Sequence, residues 1–232
     1  MSFRNWLYSI LNLFYPRVCA ACGEPLLKDE DTVCLKCRYT LPRTGYEHNR
    51  DNPVAQSFYG RVRLHAATSC FFFAKSGKVQ HLIHQLKYKG NKYAGMFLGE
   101  QIGESIKNEP QFQGIDYIIP VPLHPKREKQ RGYNQSLVIA LGIHEATGIA
   151  VADKYLVRAV YTATQTHKTA DERFKNVQNI FEVRFSDELV GKHVLLVDDV
   201  LTTGATLESC VQALENIPDI TISIATAACA GN

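Results

Sequence analysis

Between Asn52 and Gly99 the chain has no aspartate and no glutamate. The same forty-eight residues carry seven cations: Arg61, Arg63, Lys75, Lys78, Lys87, Lys89 and Lys92. Such a stretch attracts an anion such as phosphate, or it is a solvated face balanced by acids elsewhere in the fold. The net charge of +3 is too weak a bias to argue nucleic acid from the total alone. Long apolar runs are missing as well. No segment approaches the ~18 uninterrupted apolar residues of a membrane span. The opening MSFRNWLYSILNLFYPRVC is interrupted by Arg4, Asn5 and Asn12 and reaches Pro16 without a small-residue cleavage site. It reads as a short amphipathic helix, not a signal peptide. The expected compartment is the cytoplasm, where disulfides are disfavoured. Internal repeats and low-complexity tracts are absent.

What remains is globular composition: 232 residues, 45% hydrophobic and 21% charged. That is enough for one good core plus a small appendage. The appendage is expected at the front. CAAC (Cys19 to Cys22) and CLKC (Cys34 to Cys37) give two C-x2-C pairs separated by eleven residues. Each pair can grip a metal from a tight turn, and Cys19, Cys22, Cys34 and Cys37 together close a tetrahedral thiolate site. Gly23 can take the positive φ that such a knuckle needs. Four sulfurs leave no open position, so a zinc ion here is structural. Two disulfides or four free thiols are the alternative. His48 is read as a surface residue of the following link and only a substitute ligand. Cys70, Cys210 and Cys229 sit in apolar contexts and read as small core residues. The polar, turn-rich PRTGYEHNRDNPVAQSFYGRVR links this module, residues 1–50, to the main domain, residues 51–232.

In the main domain strand-like and helical patterns alternate. TSCFFFAK, DYIIPVP, KYLVRAV, HVLLVDD and ITISIATAAC read as strands. KVQHLIHQLKY, KYAGMFLGEQIGESIK, NQSLVIALGIHEATG and GATLESCVQALENI read as helices, with Val79, Leu82, Ile83 and Leu86 on one face of the first and Leu207, Cys210, Val211 and Leu214 inward on the last. The alternation predicts an α/β domain with a mostly parallel sheet.

One stretch carries chemistry: VLLVDDVLTTGAT, Val194 to Thr206. The apolar strand is expected to end at Asp198 and Asp199, with a helix beginning near Gly204. A loop of Val200, Leu201, Thr202, Thr203, Gly204, Ala205 and Thr206 offers clustered N–H groups, hydroxyls and little bulk. At a helix N-terminus that is a phosphate cradle. Two carboxylates would repel the phosphate, but they suit the vicinal hydroxyls of a ribose, or a Mg²⁺ held with them. The constellation asks for a sugar phosphate. A helix N-cap preceded by an accidental acidic pair is the plain alternative.

The thirteen residues resemble the phosphoribosyl-diphosphate (PRPP) motif of type I phosphoribosyltransferases: apolar strand, two acids, then T-T-G-x-T. With the two cysteine pairs, LKYKG (Leu86–Gly90), PVPLHPKREKQRGYNQS (Pro120–Ser136) and TQTHKTADERFKNVQNIF (Thr164–Phe181), the chain resembles the competence protein F (ComF, ComFC-like) family over nearly its whole length. The resemblance implies a phosphoribosyltransferase-like, mostly parallel sheet flanked by helices, behind a small zinc-ribbon module. It implies Mg²⁺-dependent transfer from PRPP to an acceptor that nothing in the sequence specifies, linked to DNA uptake. A non-catalytic PRPP- or nucleotide-sensing protein, or a partner of single-stranded DNA or of a DNA-uptake helicase, is the other implication. Arg127 and Arg131 would clamp diphosphate oxygens through their forked donors. Lys87 and Lys89 would add phosphate contacts, although lysine is favoured at a helix C-terminus in any case. Gln165, Thr166 and Arg173 resemble the flap of amidophosphoribosyltransferases, which places a flap at Tyr161–Gln178. For single-stranded DNA, the acid-free stretch Asn52–Gly99, with its aromatics Phe58, Tyr59, Tyr88 and Tyr93, together with the zinc module is the expected surface.

Overall fold

The computed structural model describes residues 17–158 and 180–230. Its centre is a five-stranded, all-parallel sheet in the order β1-β7-β6-β2-β3. The strands are β1 (Ala66–Phe73), β2 (Tyr117–Pro120), β3 (Ala150–Val151), β6 (His193–Leu201) and β7 (Thr221–Ala230). β4 (Leu156–Arg158) and β5 (Phe181–Val183) form a separate antiparallel pair, so the described part of the expected strand KYLVRAV is a strand at Leu156–Arg158 but lies outside the main sheet. β6 is central, and Val194, Leu195, Leu196 and Val197 are all buried, as a strand covered on both faces requires.

Helices cover both faces. On one side lie α3 (Lys78–Tyr88), α4 (Lys92–Ile106) and α6 (Gln135–Thr147). On the other lie the short α2 (Pro53–Gln56) and α7 (Ala205–Leu214). The inward faces read from the sequence are buried on α3 and α7. Gly148 caps α6 in the left-handed region at φ 76°. α4 and α6 cross at glycine: a Cβ on Gly99 would run into the Ile139 carbonyl, and one on Gly142 into the Met96 carbonyl. Two backbones in that contact leave room for no side chain.

The cysteine segment, with α1 (Leu35–Thr40), packs against α3 and the outer edge of β1. His81 Nδ1 lies 3.1 Å from the Ala21 carbonyl oxygen. The Phe72 N–H donates to the Pro42 carbonyl at 2.9 Å, and the Thr44 N–H to the Cys70 carbonyl at 3.1 Å. The start of the expected polar link is therefore an antiparallel edge on β1. Farther along, buried Asn52 is its hub: its Nδ2 donates to the carbonyls of Asn49 and Ala67 at 2.7 Å, and its Oδ1 caps α2.

Two expectations change. β6 does not stop at the acids but runs on through Val200 to Leu201, two residues expected in the loop, because β7 stays paired beside it, with Asp198 opposite Thr226 and Val200 opposite Ala228. The segment between β2 and α6, expected as a loop, holds α5 (Pro125–Arg131), started by Pro125 and by the His124 cap. From β2 the chain runs outward to β3 and then returns to β6 on the other flank of β2. The order thus reverses between β2 and β6, and ligands of open α/β sheets bind beyond the carboxyl ends of strands at such a point.

Candidate functional site

β2 ends at Pro120, opposite Val197, so β6 loses one neighbour as it reaches the acids. The N-terminus of α6 fills the gap. Asn134 caps that helix through the Ser136 N–H at 3.0 Å and donates from Nδ2 to the Val121 carbonyl, also at 3.0 Å. Buried Ser136 is thereby aimed at the sheet, and its hydroxyl donates to Asp198 Oδ1 at 2.9 Å. The Asp199 N–H donates to the same oxygen at 2.8 Å. Burial, and then the neighbouring Asp199 charge, push the Asp198 carboxyl up to about 7, against the pull of these two donors and of Lys87. Asp199 is paired: Lys87 Nζ, in the last turn of α3, lies 2.8 Å from its Oδ1. Two adjacent acids at a strand end are hard oxygen ligands and suit a cation such as Mg²⁺.

Beyond Leu201 the chain turns through Thr202, Thr203 and Gly204 into α7. Thr202, Thr203, Ala205 and Thr206 are exposed, while Gly204 is buried at φ 77°. A Cβ on Gly204 would meet the Phe58 ring at 3.1 Å. Arg61 clasps the same turn, donating to the Thr203 carbonyl at 3.3 Å and pairing with Glu208 of α7. The glycine and this buttress give the loop its close approach to whatever sits above it.

A cleft of about 450 Å³ lies beside the acids, lined by Lys87, Tyr88, Gly90, Arg127, Gln130 and Arg131. Arg131 lies over the Tyr88 ring at 5.5 Å and donates to Gln135 Oε1 at 2.7 Å. Gly132, at φ 81°, turns the chain from α5 towards α6. The Tyr133 hydroxyl then donates to the Leu86 carbonyl, tying that turn to the end of α3. Arg127 is exposed on the cleft wall.

The four cysteine sulfurs lie within 4.8 Å of one another, and no disulfide joins them. Cys22 Sγ and Cys34 Sγ are 3.8 Å apart. That equals the edge, about 3.8 Å, of a tetrahedron with metal–sulfur bonds of about 2.3 Å. Gly23 takes φ 80° in the knuckle. N–H donors from Cys34, Cys22 and Ala21 outweigh burial and bring the Cys19 thiol down to about 7, while burial and the neighbouring sulfurs push Cys34 and Cys37 up, so the four could not all be thiolates without a cation among them. The residues fit a tetrahedral thiophilic ion. His48 stands apart, exposed, with Nδ1 2.9 Å from Glu109.

The structure thus brings together Asp198, Asp199, Lys87, Arg127 and Arg131, and it sets Thr202–Thr206 at the end of the same strand. Lys89 is exposed at the end of α3 and does not line the cleft. Gln165, Thr166, Arg173 and the flap at Tyr161–Gln178 lie outside the described residues. Of the aromatics expected to stack on bases, Phe58 is only 1% exposed and serves the core, and the Tyr59 hydroxyl is bonded to Asp51 at 2.9 Å. Tyr88 and Tyr93 are exposed. Sequence reasoning missed Ser136, Tyr133 and Arg61. The first two sat in plain view around the Asn134 cap, but a role facing Asp198 requires knowing that α6 abuts β6.

A family model for the phosphoribosyl transferase domain matches residues 144–230, which include β6, the acids and the loop. DNA utilization protein YhgH of Shigella flexneri is 31% identical over 200 residues, covering 85% of this chain and 83% of that protein. Competence protein F of Haemophilus influenzae is 34% identical over 112 residues, 48% of this chain and 49% of that one. The match to the Salmonella typhi YhgH protein spans 59% of that relative's length. Among solved structures, the glutamine PRPP amidotransferase of Bacillus subtilis, complexed with ADP and GMP, superposes with a TM-score of 0.43 at 21% identity, over 59% of this chain and 26% of that one.

Proposed function

The chain belongs to the family of competence protein F and the DNA utilization protein YhgH, and from that premise we propose that it binds PRPP with Mg²⁺ and transfers the phosphoribosyl group to an acceptor. One observation carries the reading. A carboxylate pair, a small-residue loop at a helix start and three cations converge at the switch point between β2 and β6.

Each group then has a task. The N–H groups and hydroxyls of Thr202–Thr206 hold the 5′-phosphate at the start of α7. Asp198 and Asp199 receive the ribose hydroxyls, Ser136 fixing the Asp198 carboxyl for that purpose. Arg127 and Arg131 face the diphosphate, and as charge builds on it they stabilise its departure. Mg²⁺, held with the substrate beside the acids, supplies further neutralisation of the leaving diphosphate. Little acid–base machinery is needed for such a transfer, which leans on the charge of the site. Residues 1–50 serve as a staple closed by Zn²⁺ on Cys19, Cys22, Cys34 and Cys37, ahead of a catalytic domain at 51–232. The setting is the cytoplasm, in the DNA utilization and competence that the relatives' names give.

A second reading, a non-catalytic PRPP-responsive partner that contacts single-stranded DNA, is favoured by one feature. Exposed Tyr88 and Tyr93 stand beside exposed Lys89 and Lys92, which suits bases stacking along a bound strand. Incubating the protein with PRPP, Mg²⁺ and a panel of nucleobases and ammonia separates the two. Acceptor-dependent release of diphosphate is expected for the enzyme. Tight PRPP binding with no diphosphate released by any acceptor would favour the second reading.

A further inference from the structure

Lys87 is committed to a carboxylate that the bound ligand must use. Its Nζ is 2.8 Å from Asp199 Oδ1, and the two side chains are 21% and 13% exposed, so the pair is largely out of water. Lys87 also lines the cation-walled cleft with Arg127 and Arg131. Among the described residues neither arginine has a carboxylate within 4.0 Å, so of the three cations lining the cleft Lys87 alone is ion-paired. The backbone around Lys87 is held in place: the Leu86 carbonyl accepts from Tyr133, and the Tyr88 ring lies under Arg131. Only the flexible lysine side chain has somewhere else to go.

From this geometry we infer that Lys87 exchanges partners on binding, passing from Asp199 to the diphosphate as the ribose and its cation take the carboxylate. This rests on the phosphoribosyl reading and makes Lys87 a specificity-determining residue. A ligand with only a diphosphate pulls Lys87 away and strands Asp199 half-buried. A cation alone takes Asp199 and strands Lys87. Leaving one member of such a pair unmatched is costly, so each half-ligand binds poorly. A ligand carrying both halves satisfies both partners at once. The site thereby discriminates against free pyrophosphate, the product of the transfer, and against a bare divalent ion.

Calorimetric titration with inorganic pyrophosphate, in buffer stripped of divalent ions by a chelating resin, tests the exchange. Asp199→Asn frees Lys87 and should tighten pyrophosphate binding by roughly fivefold or more. In a Lys87→Met background the same substitution should give no gain, and Lys87→Gln should repeat that result. Mn²⁺ alone, followed by electron paramagnetic resonance, should bind roughly fivefold tighter to Lys87→Met than to the wild type. An equal gain from Asp199→Asn in both backgrounds would mean plain charge repulsion and would overturn the exchange, as would unchanged Mn²⁺ affinity in Lys87→Met. If the expected pyrophosphate pattern appears but PRPP does not bind, the exchange stands and the phosphoribosyl reading falls. If PRPP binds and the gain is background-independent, the reading stands and the exchange falls.

Discussion

Asp198 should make the protein less stable than a neutral residue would in its place. Its carboxyl is pushed from an ordinary 3.8 up to about 7 by burial and by Asp199. An acid whose pKa is higher in the folded chain binds more protons folded than unfolded between those two values, so its contribution to stability falls as pH rises from about 4 to about 7. At 1.36 kcal/mol per unit this amounts to about 4 kcal/mol at pH 8, about 2 at pH 5, and nothing well below the unfolded value. Asp198→Asn removes that penalty. That shift is already net of the bonds from the Ser136 hydroxyl and the Asp199 N–H, and solvent screening at the partly exposed side chain lowers the gain to about 2 kcal/mol at pH 8. For a chain of this size that is a rise in Tm of about 4–8 °C. Denaturation of both proteins at pH 8 and pH 5 reads it directly. The variant should be the more stable at pH 8, by a margin that shrinks at pH 5. A variant less stable at pH 8, or a margin independent of pH, would refute the reasoning. The expected result is a residue kept for binding at a cost to the fold.

Two further outcomes test other parts of the structure. Purified protein should hold about one zinc ion per chain by elemental analysis. Cys37→Ser should lose the ion and melt at lower temperature, and equal melting of the metal-free and metal-loaded protein would count against a structural role. Gly142→Ala should destabilise by at least 2 kcal/mol or so, because its Cβ would meet the Met96 carbonyl and the Gly99 backbone across the α4–α6 crossing. A variant with wild-type stability in urea would show that the two helices can part without loss.

The parallel core was legible because its signals are local. Val194–Val197 is a continuous apolar run, α3 and α7 show clean helical periodicity, and Gly148 stops α6. The acids and the loop after them were legible because the chemistry sits in one short stretch. What escaped depends on neighbours. Nothing local shows that β7 keeps β6 extended past Asp199 to Leu201, since acids usually mark a strand's end. The polar run Pro125–Arg131 has no apolar face, so its helix rests on a cap and a proline, not on periodicity. Phe58 reads as an exposed aromatic among cations but is buried, supporting Gly204 from another part of the chain. Arg61 and Lys87 explain part of the acid-free stretch: their counter-charges, Glu208 and Asp199, arrive from more than a hundred residues away. The balance of charge is made in the fold, and one of its pairs lies in the candidate site.

The central claim, that the carboxylates and loop after β6 hold PRPP, is tested most directly by calorimetry. PRPP with Mg²⁺ is titrated into the wild type and into the Asp198→Asn, Asp199→Asn double variant, with circular dichroism as the check on folding. The account predicts saturable, Mg²⁺-dependent binding to the wild type and none to a folded double variant. Unchanged PRPP affinity in the double variant would contradict it.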